Sequence, residues 1–62
     1  MISKNIKTLR IESKLSQKEL ASLLDVSYKT VSHWESGYTE PSIDAIKKLK
    51  KIFDVSYEDL LD

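Results

Sequence analysis

The segment Tyr28–Ser36 holds the side chains of this sequence that are best suited to recognise a polar partner. If the segment is helical, each residue advances by about 100° and one face collects polar side chains without a carboxylate. That face consists of Tyr28, Lys29, Ser32, His33 and Ser36. Lysine donates hydrogen bonds, hydroxyl groups donate or accept them, and histidine does either according to its tautomer. Such a face suits the donors and acceptors of a DNA major groove, although an ordinary solvated helix face has the same composition.

The same residues offer little for catalysis or metal binding. Ser32 directly precedes His33, but adjacent helical residues diverge by about 100°, so the imidazole cannot activate the hydroxyl. The chain has one histidine and no cysteine, which leaves His33 without companion metal ligands. A single glycine also excludes a glycine-rich phosphate loop. We therefore predict a protein that is not an enzyme and that uses no metal, no cofactor and no small-molecule ligand.

Composition predicts a single all-α domain over residues 1–62. With 40% hydrophobic residues and no cysteine, the core must come from packed apolar side chains alone. One glycine and one proline disfavour the many tight turns of a sandwich or barrel. No apolar run spans a bilayer and no signal peptide is visible, so we expect a cytoplasmic location and no membrane partner. Ten basic residues balance ten acidic ones, so any affinity for DNA must come from the distribution of charge.

Capping residues divide the chain into five helices. A serine stands at each predicted start, and these are Ser3, Ser16, Ser27, Ser42 and Ser56. Ser16 with Glu19 has the spacing of a capping box. Gly37, the only glycine, follows the third helix where a left-handed residue is usual. The second and third helices are predicted at about 17–24 and 28–36, and their short connection is typical of a helix-turn-helix.

Apolar spacing predicts the buried side of each helix. We expect the core to contain Ile2, Ile6, Leu9, Leu20, Ala21, Leu23, Leu24, Val31, Trp34, Ile43, Ile46, Leu49 and Phe53. Beside the fourth helix's stripe lies a basic cluster of Lys47, Lys48, Lys50 and Lys51. Because that stripe is needed for the core, we interpret the cluster as a solvated or DNA-approaching face rather than a membrane-binding one.

From Ile6 to Leu61 the chain resembles the phage repressor and Cro family of helix-turn-helix domains, also called the xenobiotic-response-element family. The resemblance is carried by Ser16-Gln17-Lys18-Glu19-Leu20-Ala21, by Trp34-Glu35-Ser36-Gly37 and by Pro41-Ser42. It implies a compact five-helix bundle of the lambda-repressor-like type. It also implies a transcriptional regulator, which we expect to be a repressor. We expect it to bind a double-stranded DNA operator as a homodimer, with half-sites about one helical turn apart.

The resemblance also implies roles for individual residues. DNA bases would be read from the third helix by Tyr28, Lys29, Ser32 and His33. The DNA backbone would be contacted by Gln17, Lys18, Ser27, Thr30 and Ser36. Arg10 in the first helix would form a structural ion pair with Glu35 and thereby fix how the third helix is presented.

The chain departs from the family pattern at two places, and the first of these, together with the zero net charge, supports a rival hypothesis. The loop Tyr38-Thr39-Glu40 has no basic residue where the family often carries one, and Lys50 replaces a small apolar residue. The rival is a protein-interaction or antitoxin-type module that uses this fold without reading DNA sequence. A third possibility is that these residues are one domain of a longer protein. Candidates for self-association are Val55, Tyr57, Leu60 and Leu61.

Overall fold

The structure is a computed structural model that describes residues 1–62, and it is all-helical, as predicted. Five α-helices follow one another without a strand, and the second and third have the bounds expected from the sequence. The helices are α1 (Ile2–Glu12), α2 (Gln17–Leu24), α3 (Tyr28–Ser36), α4 (Ile43–Phe53) and α5 (Tyr57–Leu61). No helix combines the length and the hydrophobicity that crossing a bilayer would require.

Local side-chain caps start four of the helices. In α2, Ser16 Oγ accepts from the Glu19 amide while the Glu19 carboxylate accepts from the Ser16 amide, a complete capping box. Ser56 and Asp59 repeat this arrangement at α5. Ser27 and Ser42 each accept one amide hydrogen bond at the starts of α3 and α4. Each serine satisfies a backbone donor that has no partner inside the helix.

The start of α1 differs from the prediction. The helix begins at Ile2, with Met1 at the N-cap and no side-chain cap, so Ser3 lies inside it. Ser3 is buried, and its hydroxyl oxygen lies 3.9 Å from where a Cβ on Gly37 would stand. The small side chain therefore serves the packing of α1 against the end of α3 instead of capping.

A ten-residue apolar core joins all five helices. It consists of Ile6, Leu20, Ala21, Leu24, Val31, Trp34, Ala45, Ile46, Leu49 and Leu60. The side of α3 that bears Val31 and Trp34 packs against α1 and α2, while α5 packs against α1 and α4. Asn5 Nδ2 donates to the Leu60 carbonyl at 2.8 Å and ties the last helix to the first.

Several core predictions were wrong in detail. Leu23 and Ile43 are 58% and 73% exposed, and Ala45 is buried although it was not expected to be. In α2 and in α4 the buried residues follow an i, i+1, i+4 pattern. Leu23 and Ile43 each lie about 110° around the helix from the centre of that buried stripe. Other expected core residues are only half-buried, namely Ile2, Leu9 and Phe53.

Leu60 corrects a different expectation. Its side chain is completely buried in the core, so it has no surface left for self-association. Val55 is half-buried, whereas Tyr57 and Leu61 are exposed. Of the four candidates, only Tyr57 and Leu61 therefore offer substantial exposed apolar area at this end of the molecule.

Candidate nucleic-acid interface

Helix α3 has one buried side and one exposed side. Val31 is fully buried and Trp34 is 5% exposed, as the helical spacing predicted. On the opposite side, Tyr28, Lys29, His33 and Ser36 are exposed and Ser32 is half-buried. We call these last five residues the outer face of α3. They belong to one nine-residue helix that is capped at both ends, so the positions of their Cα atoms are set by the helical backbone.

The single carboxylate of α3 is withdrawn from the outer face. Arg10 donates from Nε to Glu35 Oε2 at 2.6 Å and from Nη2 to Glu35 Oε1 at 3.1 Å, a bidentate ion pair. The two side chains are 12% and 4% exposed. Arg10 also donates from Nη1 to the Leu15 carbonyl at 2.8 Å. The outer face is therefore free of negative side chains because the only one available is turned inward and neutralised.

Gln17 joins α2 to the same network. Its Nε2 donates to Glu35 Oε1 at 3.1 Å, and its side chain is half-buried at the first position of α2. A glutamine amide has two N–H donors and one acceptor oxygen, so this bond leaves capacity for a further partner. Glu35 consequently accepts from α1 and α2 at once, so the network connects α3 to both of these helices.

The N-terminal end of α3 is organised by two contacts. Lys18 Nζ lies 5.7 Å from the centroid of the Tyr28 ring, within the range of a cation–π interaction. The hydroxyl oxygens of Ser27 and Thr30 are 3.0 Å apart, and Ser27 Oγ also accepts from the Thr30 amide. The two hydroxyls are thus within hydrogen-bond distance of each other at the helix start. Lys18 and Tyr28 place a cation beside a phenol ring.

The C-terminal end of α3 contains an aromatic contact that was not predicted from the sequence. The rings of His33 and Tyr38 are 5.0 Å apart between centroids and tilted by 58°. Tyr38 is 77% exposed and follows Gly37, which ends the helix with a φ of 80°. Ser36 Oγ donates to the His33 carbonyl at 3.1 Å, so this hydroxyl is engaged with its own helix. The sequence signal for this contact is an aromatic residue directly after the glycine that ends the helix.

The basic cluster of α4 lies elsewhere. Lys47, Lys50 and Lys51 line a shallow cleft with Asp54 and Val55, where α4 turns into α5. Helix α4 packs mainly against α2 and α5. The cluster is therefore not part of the outer face of α3. No three His, Cys, Asp or Glu side chains gather into a group that could hold a metal ion.

The packed α2–α3 pair with its short connection and the exposed outer face define a helix-turn-helix domain, and sequence comparison identifies its family. A profile described as helix-turn-helix matches residues 6–60. The HTH-type transcriptional activator BcrR of Enterococcus faecalis is 36% identical over 59 residues, which is 95% of this chain and 29% of that protein. Antitoxin PezA of Streptococcus pneumoniae is 38% identical over 61 residues, 98% of this chain and 39% of that protein.

A solved structure extends the similarity to the whole chain. The crystal structure of SinR, described as the master regulator for biofilm formation, in complex with DNA has a TM-score of 0.89 to this chain. The two are 36% identical, and the match covers 100% of both chains. This chain belongs to the helix-turn-helix family of the phage repressor and Cro type, which confirms the predicted fold. It spans 29% to 55% of the length of the curated relatives that it matches.

Proposed function

We propose that this chain binds double-stranded DNA in a sequence-specific manner through the major groove and acts in transcriptional regulation. The observation that carries the proposal is the outer face of α3, which is exposed, contains a lysine and holds no carboxylate. The inward ion pair of Glu35 with Arg10 makes this possible. The similarity to SinR, which was solved in complex with DNA, supports the same function. A DNA target also agrees with the cytoplasmic location predicted from composition.

Roles within the interface follow from position. The side chains proposed to read base edges are Tyr28, Lys29, Ser32 and His33. Those proposed to contact the backbone are Gln17, Lys18, Ser27, Thr30 and Ser36. The first group contributes the hydrogen-bond donors, acceptors and apolar edge that distinguish base pairs in the major groove. The second group positions the domain, and such contacts carry little sequence information.

A homodimer on DNA is part of the proposal. One nine-residue recognition helix offers few base contacts, and the chain has no net charge to add affinity. Two copies on a symmetric site would double both the base contacts and the phosphate contacts. An occupied operator that overlaps a promoter blocks transcription, and this exclusion needs no surface beyond the DNA-binding one. Repression is therefore the regulatory direction that we propose.

Selection from a random duplex library tests the function directly. We expect an enriched palindromic sequence with half-site centres about 10 base pairs apart, the spacing that places both recognition helices on one side of the duplex. A salt titration with the enriched duplex should show affinity falling with ionic strength, since phosphate contacts release counterions. If the protein binds neither the enriched pool nor random duplex at low salt, DNA binding is refuted.

The second candidate is an antitoxin-type module that binds a protein. Similarity to PezA, the zero net charge and the acidic residue Glu40 in the loop after α3 favour it. This module would not need a carboxylate-free face on α3. Glu substitutions at Lys29 and His33 separate the two functions. They should abolish binding to the selected duplex through repulsion of phosphates if α3 is the DNA interface. A protein-binding module that does not read DNA sequence would instead select no duplex even as the wild type, and its variants would bind random duplex no differently from the wild type.

A further inference from the structure

We propose that Tyr38 is a positioning residue that holds the His33 imidazole in the orientation in which it reads a base pair. The inference rests on the proposed function, because it assigns a role within DNA recognition. Tyr38 lies outside α3 and was not among the residues expected to contact DNA. Its proposed effect is on sequence selectivity through His33, not on general affinity.

The backbone at the end of α3 brings the tyrosine back over the histidine. Gly37 takes a left-handed conformation, its amide donates to the Trp34 carbonyl at 3.2 Å, and the Tyr38 amide donates to the His33 carbonyl at 2.9 Å. These two bonds are those of a Schellman motif, in which the second residue after the helix returns to the last turn. The position of Tyr38 is therefore set by main-chain hydrogen bonds.

The side chains then meet at the edge of the outer face. With ring centroids 5.0 Å apart and planes tilted by 58°, the pair has a geometry that aromatic rings favour. An exposed histidine without such a neighbour samples several rotamers, and binding would have to select one of them. A ring held in advance loses less conformational entropy when it meets the base, and so discriminates between bases more sharply.

A purely structural contact would have a different consequence. Schellman motifs often include a side-chain contact between these two positions, and that contact stabilises the helix end. If stability were its only role, removing the ring would lower the affinity for all DNA sequences equally. Positioning instead predicts a loss at one base pair, the one whose preference depends on His33.

Four variants test the inference on the full chain: Tyr38→Ala, Tyr38→Phe, His33→Ala and the double variant of the two alanine changes. Each variant is put through the duplex library selection, and the base pair whose preference is lost in His33→Ala is called the His33-dependent pair. Affinities are then measured for the selected duplex and for a duplex altered at that pair. Tyr38→Ala should reduce selectivity at that pair by about two- to tenfold, the range that corresponds to one aromatic pair. Tyr38→Phe keeps the ring and should retain selectivity. In the His33→Ala background, Tyr38→Ala should cost nothing more at that pair.

Proton NMR of the His33 ring provides a readout without DNA. The Tyr38 ring current should displace the His33 ring signals, and Tyr38→Ala should move them while Tyr38→Phe preserves them. Unchanged signals in the alanine variant would overturn the inference, as would an equal loss of affinity for every sequence. If the wild-type chain selects a sequence but Tyr38→Ala keeps full selectivity, only this inference fails. If the wild-type chain selects none, the proposed function fails with it.

Discussion

At the scale of single residues, the charge of the outer face of α3 depends on where the Glu35 carboxylate lies. The Glu35 side chain is 4% exposed and accepts hydrogen bonds from both Arg10 and Gln17. The negative charge that would repel phosphates is therefore buried and paired with a positive one. The same bonds connect three helices. Binding and stability therefore depend on one network, and experiments have to separate the two contributions.

Loss of one partner of the ion pair should be strongly destabilising. In Arg10→Ala the buried Glu35 carboxylate keeps only the Gln17 amide as a side-chain partner, and we expect the free energy of unfolding to fall by about 3 kcal/mol. Urea unfolding followed by circular dichroism measures this. The double variant Arg10→Ala with Glu35→Ala should cost clearly less than the sum of the two single changes. Simple additivity would mean that the two side chains do not interact in solution.

Base-reading and backbone-contacting residues should differ in the kind of loss they produce. Lys29→Ala and His33→Ala are expected to flatten sequence preference, each by about 1–3 kcal/mol at the base pair concerned. Gln17→Ala should instead weaken binding to all duplexes alike, because a phosphate contact carries no sequence information. Affinities for the selected duplex and a panel of single base-pair changes decide the matter. A uniform loss from all three variants would refute the assignment of base readers.

At the scale of elements, α3 is delimited by two local devices. Ser27 caps its start and Gly37, at a φ of 80°, ends it, so the recognition helix has sharp boundaries on both sides. The following residue is turned back toward the last turn of the helix. The length of α3 and the position of Tyr38 are therefore linked through one glycine.

Gly37→Ala should test this helix end. A Cβ there meets only Ser3 Oγ at 3.9 Å, an ordinary contact, so the cost comes from the left-handed backbone and amounts to about 1–2 kcal/mol. Thermal unfolding measures the loss. Gly37→Asn is the control, because asparagine tolerates this conformation and should recover part of the stability. Equal stability of the alanine variant and the wild type would show that the left-handed turn is not populated in solution.

At the scale of the whole molecule, a chain of 62 residues depends on very few buried side chains. Ten buried apolar residues form the centre of the core that joins the five helices. Small domains bury a low fraction of their surface, so their margin of stability is narrow. The placement of α3 depends on this core because Val31 and Trp34 belong to it.

Neighbouring leucines of α2 provide a matched test of that core. Leu24 is 2% exposed and Leu23 is 58% exposed. Leu24→Ala should lower the free energy of unfolding by about 2–5 kcal/mol through lost burial and a cavity. Leu23→Ala should change it by less than about 0.5 kcal/mol, as for other surface sites. Circular dichroism with denaturant compares them, and similar losses would contradict the observed orientation of α2.

The sequence by itself determined where the four helices after α1 begin and end, because capping is a local interaction. Ser16 with Glu19 and Gly37 after Ser36 act within a few residues of each other, so their spacing is sufficient. The inward side of α3 was equally predictable, since Val31 and Trp34 are its large apolar residues. The pairing of Arg10 with Glu35 came from the family resemblance, because the two residues lie 25 positions apart.

Only the tertiary structure decided which part of each amphipathic face is covered. Helical spacing made Leu23 as good a core candidate as Leu24, and Ile43 as good as Ile46. The difference depends on the direction from which neighbouring helices approach, which periodicity does not contain. Ser3 likewise suited a cap until α1 packed against α3. The contact of Tyr38 with His33 also depended on the folded path of the chain, because it needs both the turn at Gly37 and the rotamers of two exposed rings.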